Sequence, residues 1–123
     1  MCEASNDRAS SADPRLTRLG PRRRRIVGDL DAFTALAIEP AIRRLIDTQP
    51  VIVLDLSGIH VLTAGGLEML ERVHAYADGL GRSLVMLAPQ EGLVHEVLRF
   101  SRLPEDAIMV EPDAAASRPV PGD

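Results

Sequence analysis

The apolar positions along the chain change period several times, and the changes outline alternating strands and helices. Residues 23–27 predict a strand that breaks at Gly28-Asp29. Ile38, Ala41, Ile42, Leu45 and Ile46 fall on one helical face. Pro40 is best tolerated in a first turn, so this helix is predicted to begin near Glu39. Residues 51–56 are a nearly unbroken apolar run with β-branched side chains, the pattern of a central strand buried on both faces. Ser57-Gly58 predicts a turn, 59–62 continues the chain, and Thr63-Ala64-Gly65-Gly66 leads into a second helix over 67–78. There Gly66, Leu70, Val73, Ala77 and Leu80 repeat at helical spacing, and Gly79 and Gly81 end the run. A strand over 83–88 stops at Pro89, a third helix over 92–100 turns Leu93, Val94, Val97 and Leu98 inward, and 107–110 predicts a short last strand.

Strands separated by helices predict an α/β fold with a mostly parallel sheet and right-handed crossovers. Residues 1–20 are rich in Ser, Ala, Asp and Arg without periodicity and predict a poorly ordered segment, in which 16–19 makes a poor first strand. Residues 112–123, with three prolines, predict a second tail. One domain is therefore expected over 21–111.

Composition narrows the chemistry. Phe33, Tyr76 and Phe100 are the only aromatics, so the core must be aliphatic and base-stacking platforms are missing. Cys2 is the only cysteine, which excludes internal disulfides and Cys-based zinc sites. No apolar run approaches a membrane span and no secretory h-region opens the chain, so a cytoplasmic protein without membrane contact is expected. All fourteen basic residues are arginine. Without lysine there is no P-loop, no Schiff-base amine and no Ser–Lys dyad.

Charge is unevenly spread. Residues 1–27 carry seven Arg against Glu3, Asp7 and Asp13, while the remainder is strongly acidic. The run Arg22-Arg23-Arg24-Arg25 lacks interleaved aromatics, and an acidic body is a poor duplex binder, so direct DNA binding is not expected.

Asp55 ends a buried strand, as a receiver phospho-acceptor does, but a receiver also needs an acidic pair and a lysine. Its expected role is to accept backbone N–H bonds at Ser57-Gly58. His60, His74 and His95 have no metal-ligand spacing, and no nucleophile elbow or dinucleotide fingerprint is present, so neither an enzyme nor a cofactor is expected. Thr63-Ala64-Gly65-Gly66 carries two readings: an anion site at a helix start, or an N-cap with glycines that allow close packing.

Residues 53–67, Val-Leu-Asp-Leu-Ser-Gly-Ile-His-Val-Leu-Thr-Ala-Gly-Gly-Leu, resemble the core signature of STAS domains, the family of bacterial anti-anti-sigma factors. Gly28-Asp29-Leu30-Asp31 with Thr34 resembles the family's G-E-L-D segment. Residues 81–89 resemble its G-x-x-L-x-L-x-x-P strand, and Ser101-Arg102-Leu103 stands where the family has S/T-G-L. The resemblance implies a small STAS-like sandwich that binds a Ser/Thr-kinase-type anti-sigma factor rather than catalysing. It places the partner-binding surface on Asp29, Asp31, Thr63, Ala64, Gly65, Gly66 and Leu67. Family members are released when the first Ser of D-S-S-G is phosphorylated, since a dianion disrupts a tight interface. Here that position is Ala64, which has no hydroxyl, so phosphate could go only to Thr63 one residue earlier, to Ser57 or to a tail serine. The resemblance therefore implies an antagonist or stress-signalling scaffold with its phospho-switch disabled. A small-molecule or anion-binding STAS-like module is the alternative.

Overall fold

The computed structural model describes residues 15–111. Strand β1 (Leu16–Gly20) pairs antiparallel with β2 (Arg23–Leu30), and β3 (Val51–Leu62), β4 (Ser83–Pro89) and β5 (Ile108–Glu111) follow in parallel, in the order β1-β2-β3-β4-β5. Helices α1 (Ala32–Thr48), α2 (Ala64–Gly79) and α3 (Leu93–Arg99) make the crossovers, and a 3-10 turn (Glu105–Ala107) precedes β5. This is the expected α/β architecture of the STAS-like kind, with Val51–Leu62 at the sheet centre.

Burial alternates along the strands. Ile52, Leu54 and Leu56 of β3, and Leu84, Met86 and Ala88 of β4, join Ile38, Ile42, Ile46, Leu70, Val73 and Ala77 of the helices in one aliphatic core. Val53, Val85 and Leu87 point the other way and are only half-buried. Successive right-handed crossovers moving in one direction put every helix on the same face, which accounts for the asymmetry. So the central strand is not deeply buried on both faces.

Several boundaries differ from the sequence reading. Residues 16–20, assigned to a poorly ordered segment, form β1, with Leu16 buried opposite Ile26. Their arginine-rich partner hid the signal: Arg18 faces Arg24 across the ladder, an unfavourable like-charge pair. The rest of the expected N-terminal segment, 1–14, and the tail 112–123 lie outside the described residues.

The first helix begins at Ala32, not near Glu39, because Asp31 caps it: the Thr34 amide donates to Asp31 Oδ1 at 2.8 Å. Pro40 sits inside α1, where it removes one helical bond and crowds the Leu36 carbonyl. Leu36, Ala37 and Pro40 are all exposed, so solvent reaches that backbone. Ser57-Gly58 is no turn either; β3 runs through it with register shifts against β2. Gly28, at φ 99°, supplies a left-handed residue on β2 beside the second of these shifts. Leu93, expected to face inward, is exposed at the start of its helix, and Leu80, the last member of the α2 repeat, is exposed at the end of α2.

Candidate docking site at the start of the second helix

Helix α2 starts where β2 and β3 end, and two glycines decide how close it comes. A β-carbon on Gly66 would lie 2.1 Å from the Leu30 carbonyl oxygen, and one on Gly65 would lie 2.8 Å from Ala32 Cβ. The first turn of α2 therefore rests directly on the β2–α1 connection, which no larger residue permits.

Thr63 is the N-cap of α2. Its Oγ1 accepts from the Gly66 amide at 3.3 Å and lies 3.4 Å from the Leu30 carbonyl, to which it donates. Its own amide donates to the same carbonyl at 3.1 Å. Of the two readings of this tetrapeptide, the N-cap with close-packing glycines is the one the geometry carries. Gly66 N–H is already used within the protein.

Ala64, by contrast, is exposed on the first turn, and Leu67 is half-buried beside it. An open groove of about 740 Å³ runs from there along α2, lined by Ala64, Leu67, Glu71, His74, Arg102 and Leu103. Its second wall is the segment after α3, held by the Arg102 amide donating to Glu71 Oε2 at 2.8 Å. The sequence placed Ser101-Arg102-Leu103 in a family-like position but gave no sign that it faces α2.

The two acids expected beside the helix start behave differently. Asp29 is exposed and pairs in register with Val61 at the ends of β2 and β3. Asp31 is committed to its cap, and the Thr34 backbone bond holds its carboxyl below the usual range. Phe33 and Leu36, on the first turns of α1, are exposed apolar side chains next to this corner. So the structure brings Asp29, Asp31, Thr63, Ala64, Gly65, Gly66 and Leu67 to one end of the sheet, and only some of them present a side chain to solvent.

Asp55 has the structural role expected of it and an additional one. The Ser57 amide donates to Oδ1 at 2.9 Å, and Arg25 donates to Oδ2 through Nε (3.3 Å) and Nη2 (3.1 Å). Burial by itself would raise its pKa, but the bonds from Ser57 and Arg25 outweigh burial and hold the carboxyl below its ordinary value. Among the described residues no group of three or more His, Cys, Asp or Glu side chains could hold a metal, and no helix is long and apolar enough to cross a membrane.

A search of curated proteins returned no match. The family model for the STAS domain matches residues 23–109, from the start of β2 into β5, and so spans the docking corner, the groove and the parallel sheet. The match covers most of the chain, and the fold and the motif order agree with it: this protein belongs to the STAS domain family, whose members are regulatory binding modules.

Proposed function

We propose that this protein is a non-enzymatic antagonist that captures a kinase-type anti-sigma factor in the cytoplasm and is not switched by phosphorylation at the usual place. The observation that carries the reading is the contrast between Ala64 and Thr63. Ala64, at the family's phospho-acceptor position, is exposed but has no oxygen to modify. Thr63 has an oxygen, but that oxygen is held between the Leu30 carbonyl and the Gly66 amide. A kinase needs a hydroxyl that is free to attack in line, and a misplacement of one residue removes it from the reacting phosphate. Ser57, the other nearby hydroxyl, sits in the β3 bulge against Asp55. Binding is then constitutive, and the amount of protein sets the output.

The deciding experiment incubates the protein with a kinase-type anti-sigma factor and ATP, measures binding by calorimetry, and maps phosphate by intact-mass and phosphopeptide analysis. Tight binding with no phosphate supports the reading. Stoichiometric phosphate on Thr63 that weakens binding overturns the switch-less part, and no binding to any such kinase overturns the partner.

A further inference from the structure

Parallel sheets are almost always covered on both faces, because their strands bury apolar side chains on each side. The helices among the described residues cover one face. The other carries Val53 and Val85 in register on β3 and β4, and Leu87 paired with Met109 on β4 and β5. Val53, Val85 and Leu87 are half-buried with no helix of the described residues over them, and Met109 is 54% exposed. This is the floor of a third layer that the described residues do not supply.

The end of that floor beside β2 is basic. Arg23 pairs in register with Val53, and Arg25 with Asp55, so both guanidinium groups lie on the uncovered face. Asp55 anchors them, Arg25 at 3.1 Å and Arg23 at 4.0 Å, while both arginine side chains stay more than 40% exposed (42% and 45%). One buried carboxylate cannot neutralise two arginines. An apolar strip with a fixed positive flank has a complement of definite chemistry: an amphipathic helix with an apolar stripe and acidic residues along one border. A helix laid along the strands sets one border over β2, and strands of 8 and 7 residues run about 23–26 Å at ~3.3 Å per residue, close to the length of a helix of about 18 residues.

We infer that the helix-free sheet face is a second docking surface, separate from the start of α2, and that it takes an acidic amphipathic helix of a partner protein to complete a three-layer sandwich. The second copy of this chain is a poorer occupant, since two such faces packed together bring arginines toward arginines or onto valine.

The test uses the full chain and two synthetic helical peptides of about 18 residues, each with a leucine stripe, one bordered by glutamate and one by lysine. The glutamate peptide is expected to bind about tenfold or more tighter than the lysine peptide, with amide shifts on β2–β5 and none at the start of α2. Arg23→Gln and Met109→Glu are each expected to weaken it about tenfold, with the melting temperature checked in parallel. Equal binding of both peptides, shifts centred on α2, or binding indifferent to both substitutions overturns the proposal. So does a concentration-dependent dimer that excludes the peptide. Arg23-dependent binding to phosphatidylglycerol vesicles without peptide binding assigns the face to lipid instead, and also overturns it.

Discussion

The carbonyl oxygen of Leu30 occupies the space where Gly66 would carry a β-carbon, at 2.1 Å, and the same oxygen accepts from the Thr63 amide. One backbone atom thereby fixes the end of β2, the cap of α2 and the height of the exposed first turn.

Gly66→Ala is expected to push α2 off the β2–α1 connection and to destabilise the fold by about 2–4 kcal/mol, because backbone cannot move aside as a side chain tip can. Gly65→Ala meets the Ala32 side chain and is expected to cost less. Gly79→Ala meets nothing within 4 Å and serves as the control. Urea unfolding of the three variants checks the order.

The buried Asp55 makes a pH prediction. Its folded pKa lies below its unfolded value, so it stabilises the protein above the unfolded carboxylate pKa, and that contribution disappears as pH falls through the folded value. Arg25→Met removes its closest cation and is expected to cost about 2–4 kcal/mol at pH 7. It should cost much less at pH 3, where the carboxyl can take a proton. A loss that is equal at both pH values in paired urea melts would contradict this.

Glu39 clamps the two long helices. It accepts from Arg43 on its own helix at 2.9 Å and from Arg72 of α2 at 2.8 Å, and Arg43 stacks over the Tyr76 ring, whose hydroxyl donates to Asp47. The Arg72 bond leads in holding its carboxyl below the ordinary range, against burial. The arginines are substantially exposed and solvent screens them, so Glu39→Gln is expected to cost only about 0.5–1 kcal/mol. Its effect should shrink in 1 M salt. A double-mutant cycle of Glu39 with Arg72 measures the coupling.

Ala64→Glu places a charge on the exposed first turn without touching the core. It is expected to leave the melting temperature unchanged and to abolish anti-sigma factor binding in calorimetry. The pair Thr63→Asp with Ala64→Ser restores the family's residues and is expected to create a phospho-acceptor. Undiminished binding of Ala64→Glu would locate the contact elsewhere.

Much of this was legible in the chain because aliphatic patterning carries the core: the apolar run at 51–56 forms the central strand, and Leu70, Val73 and Ala77 are buried where their helical spacing put them. What escaped was local chemistry overriding pattern. Pro40 looked like a helix start, yet the Asp31 cap nine residues earlier won, since a proline facing solvent does not end a helix. Ser57-Gly58 looked like a turn because bulges and turns use the same residues. Of the two readings open for the tetrapeptide from Thr63, the cap with packing glycines is the one seen, while the groove wall at Arg102 depended on a contact between distant segments. Strand β1 was hidden by Arg18 and by the arginines of its partner strand.

Those arginines also govern how the molecule meets copies of itself. Strand β1 is an outer strand of the sheet, and an outer strand offers unpaired backbone to any other. With Arg18 and Arg24 abreast at that border, two such strands approach against their own electric field. The guard is as long as the Debye length, about 10 Å in 0.1 M salt and about 3 Å in 1 M. Ionic strength, rather than concentration alone, therefore sets when this border becomes adhesive.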